Sequence, residues 1–266
     1  MEDNRKNNTD AAAGQRRDTV NVTRTYMPPI EEYIEEIAPV WESRWITNMG
    51  EKHGELKRKL KEYLKVSGLE LFVNGHLALE AALQAVLTDN EEIGGEIAAG
   101  RNEVITTPYT FASTTHAIVR RGLTPVFCDI RRSDCTMDPD LIESLVTDRT
   151  AAIVPVHVYG KICDVEAIRD IAQRHGLKVI YDAAHAFGET YRGAGVGTFG
   201  DASMFSFHAT KVFHTIEGGA VAYSGSIYDD ILYKLSDFGR RCAGIGIHTT
   251  QSGVQGTQRD GFVSKE

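Results

Sequence analysis

The sequence predicts an α/β protein: a mainly parallel mixed sheet flanked by helices on both faces. Three observations carry that expectation. Short apolar segments alternate with segments of helical period from Leu69 to Asp182. The helical segments are long enough to act as crossovers between parallel strands. The chain has 266 residues, 42% hydrophobic and 25% charged, so it can bury a sizeable core without a disulfide or metal staple.

Each element follows from local pattern. Residues 1–24 are polar and charged, with too little apolar side chain to order themselves, and are expected as a disordered tail. Pro28-Pro29 then opens a helix from Ile30 to Trp45, whose apolar residues recur at helical spacing and should pack on the surface of the domain. A second helix is expected over Glu51–Val66, a strand over Leu69–Val73 ending at Asn74-Gly75, and an Ala/Leu-rich helix over Leu77–Leu87. Strands Glu103–Thr107, Thr124–Cys128, Ala151–Val156 and Lys178–Asp182 alternate with helices Ser113–Arg121, Pro139–Val146 and Val165–His175. Beyond Gly195 the rhythm changes. Ala202–Phe207 and Gly219–Ser224 read as strands with no room for a crossover helix between them, so they can pair antiparallel. Residues 25–225 are read as one large domain and 226–266 as an incomplete, divergent C-terminal segment, with Arg240–Glu266 expected as loop or disorder.

Composition narrows the function. A net charge of -8, from 29 basic and 37 acidic residues, argues against a nucleic-acid partner. The longest apolar stretch, Ala151 to Val158, falls far short of the roughly 20 residues that a membrane span needs, and the polar start resembles no secretory signal. A cytoplasmic location is expected. Cys128, Cys135, Cys163 and Cys242 lack paired spacing and read as free thiols, with no metal site.

Ligands of an open parallel sheet collect outside the carboxyl ends of its strands. Four candidate groups fall there: Asn74-Gly75, Pro108 to Phe111, Asp182 to His185, and Ser206 to Lys211. Gly75 suits an anion, because glycine admits close backbone approach and the next helix offers free N–H groups, although it is equally a plain strand-to-helix turn. Asp182 ends an apolar strand, where a carboxylate needs a cation or several donors; a protonated pyridine nitrogen or a helix cap would each serve. Lys211 lies among Phe205, Phe207, Val212 and Phe213, an apolar setting that favours the unprotonated amine a Schiff base requires, whereas most lysines are solvated surface charges.

Five ordered segments carry a resemblance. They are Trp45-Ile46-Thr47-Asn48, Asn74-Gly75-His76-Leu77-Ala78-Leu79, Pro108-Tyr109-Thr110-Phe111, Tyr181-Asp182-Ala183-Ala184-His185-Ala186-Phe187-Gly188, and Ser206-Phe207-His208-Ala209-Thr210-Lys211 followed by Glu217-Gly218-Gly219. From Tyr26 to Gly239 the chain resembles the DegT/DnrJ/EryC1/StrS family of pyridoxal-phosphate sugar aminotransferases, of the aspartate aminotransferase fold type I. The resemblance implies that Lys211 holds pyridoxal phosphate and later moves the proton between substrate and cofactor carbons. It puts Asp182 on the pyridine nitrogen, His185 near the ring hydroxyl, Phe111 against the ring, and Gly75, His76 and Ser206 around the phosphate. For Phe111 core packing stays open, and for His185 a satisfied polar position at a helix start. Thr47 and Asn48 would border the site across a homodimer interface.

The implied reaction moves an amino group from L-glutamate to a nucleotide-linked keto-deoxysugar, a deoxythymidine- or guanosine-linked 3-keto or 4-keto 6-deoxyhexose, for polysaccharide or glycoside biosynthesis. Family members continue beyond the region matching Asp237-Phe238-Gly239 into a small C-terminal domain, whose motifs are missing from Arg240 onward. Two further readings therefore stand: a catalytically inactive truncated fragment that binds the cofactor or dimerises, and a sugar dehydratase of the same fold. Dehydratases of the family carry histidine where this chain has Lys211, which favours amino transfer.

Overall fold

The computed structural model describes residue 21, residues 23–87 and residues 100–237. The expected tail and the segment from Arg240 lie outside the described residues, apart from the few residues before Thr25.

The chain begins with α1 (Ile30–Ser43) and α2 (Glu51–Leu64), then β1 (Gly68–Phe72), α3 (Gly75–Leu87), β2 (Glu103–Thr106), α4 (Ser113–Arg120) and β3 (Thr124–Phe127). It continues through α5 (Pro139–Ile142), β4 (Thr150–Val154), α6 (Val165–His175) and β5 (Lys178–Asp182). A hairpin of β6 (Thr190–Tyr191) and β7 (Ala194–Gly195) precedes β8 (Ala202–Ser206), β9 (Gly219–Tyr223) and α7 (Asp229–Ser236). The seven-stranded sheet has the order β1-β9-β8-β5-β4-β2-β3. Pairs from β8 through β3 are parallel, while β9 runs antiparallel to both β8 and β1. Six strands therefore share one direction and β9 alone opposes it, the pairing expected of the two closely spaced last strands.

Alternate strand residues enter opposite layers, as a period of two requires. Val104, Ala152, Val154, Ile180, Met204 and Val221 join a core with Leu79, Leu83 and Leu87 of α3. Ile105, Ile153, Val179 and Tyr181 meet Ile168 and Ile171 of α6 on the other face. Phe205, Ala220 and Ala222 meet Leu60 and Leu64 of α2. Residues 226–237, assigned from sequence to the C-terminal segment, bring Tyr228 and Leu232 into the α3 core.

One expectation needs correction. Helix α1 forms where its period places it, behind Pro29, but it buries no residue, and Trp41 is 74% exposed. Its apolar stripe is not packed on the domain: periodicity identifies an apolar face without specifying what covers it. The expected helix over Pro139–Val146 also splits into α5 and a 3-10 turn, Glu143–Leu145.

Candidate active site

The carboxyl ends of β1, β2, β4, β5 and β8 open on one cavity of about 720 Å³. Gly75, His76, Phe111, Asp182, His185, Ser206 and Lys211 all line it. Topology explains the convergence, since parallel strands deliver their following loops to one edge of the sheet.

At the β1–α3 turn, Asn74 caps the helix. Its side-chain carbonyl accepts the Leu77 N–H at 2.9 Å and its backbone carbonyl the Ala78 N–H at 3.1 Å. The preceding N–H groups, those of Gly75 and His76, are the two that a ligand anion can take at the positive end of α3. A Cβ on Gly75 would lie 2.7 Å from Ser206 Cβ, so glycine is required for the turn to sit against the end of β8. The His76 ring is occupied: Nδ1 pairs with Ser113 Oγ at 2.9 Å and Nε2 with Glu80 Oε1 at 2.9 Å. Arg120 Nε holds the same Glu80 oxygen at 2.6 Å.

Asp182 is buried at the end of β5. Its Oδ1 accepts the Ala184 N–H at 3.1 Å, the capping contact expected as one alternative. Its Oδ2 accepts a hydrogen bond from Thr114 Oγ1 at 2.7 Å. Lys211 is half-buried; burial lowers its pKa from the usual lysine value, opposed by the Asp182 charge. It is thus no solvated surface lysine. His185 is also pulled below its ordinary pKa, by burial first and then by the Lys211 cation. Its Nδ1 accepts the Tyr159 N–H at 3.2 Å, and the Tyr159 ring lies parallel to it with centroids 6.0 Å apart. Tyr159 has a left-handed backbone, φ 53, in a 3-10 turn, and its hydroxyl meets that of Tyr109 at 3.3 Å. Phe111 is 76% exposed on the cavity rim, which excludes core packing as its role.

Thr47 and Asn48 lie apart. Both are exposed, neither lines this cavity, and Asn48 instead borders a groove with Met49, His53, Phe72 and Leu77. Sequence reading missed Thr114 and Tyr159. Neither gave a signal in the sequence, since a threonine at a helix start and a tyrosine before a turn glycine are both common. Cys128, Cys135 and Cys163 are free thiols. Among the described residues no cluster suited to a metal ion occurs, and no helix is long and apolar enough to cross a membrane.

The residues fit pyridoxal phosphate: a glycine cradle with helix-start N–H groups and the Ser206 hydroxyl for a phosphate, a buried carboxylate for a ring cation, and a lysine with a lowered pKa in the same cavity. The sequence profile of the DegT/DnrJ/EryC1/StrS aminotransferase family matches residues 29–256, running past Gly239 where the motif resemblance ended. A dTDP-4-amino-4,6-dideoxy-D-glucose transaminase of Shigella dysenteriae is 45% identical over 218 residues, 82% of this chain and 56% of that protein. PseC of Helicobacter pylori, an aminotransferase of pseudaminic (pseudoaminic) acid biosynthesis, superposes with a TM-score of 0.75 at 30% identity, over 86% of this chain and 59% of that one. NtdA of Bacillus subtilis, solved with bound PMP, gives 0.68 at 28% identity, over 77% and 44%. The chain spans about half the length of the curated relatives it matches.

Proposed function

The chain belongs to the DegT/DnrJ/EryC1/StrS aminotransferase family, and from that premise we propose that it transfers an amino group, with L-glutamate as donor, to a nucleotide-linked keto-deoxysugar. The observation that carries this reading is the meeting of Lys211 and Asp182 in one cavity behind a glycine phosphate cradle. Pyridoxal phosphate, when bound, supplies an electron sink for the carbon that loses or gains a proton.

The residues divide the work. Gly75 and His76 bind the phosphate through backbone N–H groups, with Ser206 beside them. Asp182 would hold the ring nitrogen by offering it a buried carboxylate, which favours its cationic form. Phe111 would cover the ring, and His185, whose Nδ1 already accepts, would have Nε2 left to donate to the cofactor. Lys211 would hold the cofactor through its aldehyde group, and its Nζ would be the group that takes up and returns the proton. Its lowered pKa favours the neutral amine that can accept a proton.

Relatives named for dTDP-linked amino sugars support a sugar-nucleotide substrate. A homodimer is supported by the uncovered stripe of α1 and by the position of Thr47 and Asn48 outside their own chain's cavity, free to reach a partner's. In this reading residues 25–225 are the cofactor-binding domain, and the protein works in the cytoplasm, making amino sugars for polysaccharide or glycoside.

Borohydride reduction of the protein loaded with pyridoxal phosphate tests the assignment. Wild type should carry the phosphopyridoxyl mass on the peptide containing Lys211, and Lys211→Ala should carry none there. Adding glutamate before reduction should abolish the wild-type label. A label indifferent to Lys211→Ala removes the assignment, and a label indifferent to glutamate favours the inactive fragment.

A further inference from the structure

Asp182 is held from two sides, by the loop after β5 and by α4. Ala184, in the loop after β5, donates to Oδ1, and Thr114, on the first turn of α4, donates to Oδ2. Thr114 is fully buried, and its Oγ1 lies 2.9 Å from Thr110 Oγ1, which borders the cavity. A carboxylate only accepts hydrogen bonds, so the Thr114 proton is committed to Asp182. Thr110 must then donate to Thr114, and the hydroxyl chain has one direction: Thr110 to Thr114 to Asp182. The Thr114 backbone N–H is bonded in turn to the Phe111 carbonyl at 3.2 Å. One residue thus ties the floor carboxylate to the aromatic rim.

We propose that Thr114 is a positioning residue for pyridoxal phosphate: oriented by Thr110, it fixes the Asp182 carboxylate so that its remaining lone pairs face the ring nitrogen. A carboxylate with one donor per oxygen cannot rotate about χ2 without losing a buried, charge-assisted hydrogen bond. Without Thr114, one donor remains and the carboxylate is free to swing. The inference rests on the cofactor reading above, and its subject, Thr114, lies outside the motif set that led to that reading.

Equilibrium binding of pyridoxal phosphate to Thr114→Val, Thr114→Ser and Asp182→Ala, singly and with Thr114→Val combined with Asp182→Ala, is the test. Valine keeps the shape and removes the hydroxyl. Thr114→Val should weaken binding about tenfold, the scale of one hydrogen bond to a charged group, while Thr114→Ser stays within about twofold of wild type. In the Asp182→Ala background Thr114→Val should change affinity by less than about twofold, because the two residues act as one unit. Thermal melts of each variant report the fold separately. If Thr114→Val binds like wild type, or costs the same tenfold without Asp182, the inference is overturned. Should Thr114→Val melt below the assay temperature, Thr110→Val decides: about threefold weaker binding is expected, and no change overturns the directed chain. Failure of wild type itself to bind pyridoxal phosphate sinks the cofactor reading instead, a distinct result.

Discussion

Lys211 is under two opposed influences, and their order sets its chemistry. Burial disfavours the ammonium and lowers its pKa, while the Asp182 carboxylate pulls the other way and loses. At any pH below 10.5 the cofactor-free protein therefore holds more neutral amine at Lys211 than a free lysine would. Competitive acetylation of the cofactor-free protein, read at the Lys211 peptide across pH, should give a midpoint below 10.5. Asp182→Asn removes the opposing charge, so the midpoint should fall further; an unchanged midpoint would show that the carboxylate does not act on the amine. These partners were legible in the sequence because a lysine among phenylalanines and an acid at the end of an apolar strand are chemically anomalous. Thr114 was not, because a threonine at a helix start breaks no local rule and its importance comes only from the 2.7 Å contact across the sheet edge. Nor could the left-handed Tyr159 be read, since its conformation is imposed by the turn around His185.

At the scale of elements, strands and crossover helices were readable to within a few residues, because alternation of short β segments with helical periods permits few topologies. What sequence left out were pieces too short to show a period: the β6–β7 hairpin and the 3-10 turns. It also left out the close approach of β9 to the β1–α3 turn, on which the phosphate cradle depends. Gly219 pairs with Phe72 across β9 and β1. A Cβ there would lie 2.5 Å from the Asn74 carbonyl carbon and oxygen and 2.6 Å from Gly75 N. Those are backbone atoms, which cannot rotate away, so the turn itself must move. Gly219→Ala should cost about 2 kcal/mol in urea unfolding and weaken pyridoxal phosphate binding together with stability. Gly54→Ala in α2 is the contrast: nothing lies within 4 Å of its Cβ, and replacing a helical glycine should add about 0.5–1 kcal/mol. Equal stability of Gly219→Ala and wild type would mean that the turn yields more easily than its packing implies.

The molecule as a whole divides its polar burial between two tasks. Near the strand starts, buried acids are structural, with Glu70 paired to Lys57 at 2.6 Å and Glu103 held by Arg149 and Thr147. At the carboxyl ends they serve the cavity. His157 belongs to neither group. It is fully buried, stacked on Tyr181 with centroids 4.7 Å apart, and its Nδ1 accepts the Cys163 N–H at 3.1 Å. Its Nε2 has no partner among the described residues, and burial holds its pKa down at about 3 against an ordinary 6.5. The sign follows from proton counts. Between pH 6.5 and about 3 the unfolded chain binds a proton at His157 that the folded chain refuses, so stability falls as pH falls through that window and levels below it. At about 1.36 kcal/mol per pKa unit, acidification from pH 6.5 to 4.5 should remove about 2 to 3 kcal/mol through this one residue. His53 and His185, also shifted down by burial, act in the same direction. Urea unfolding of wild type and His157→Gln at both pH values isolates the effect, since glutamine keeps an acceptor and a donor but does not titrate. The variant will be less stable at pH 6.5 if its fit is poorer, but its loss on acidification should be smaller by that 2 to 3 kcal/mol. Equal losses in the two proteins would place the acid sensitivity elsewhere in the fold.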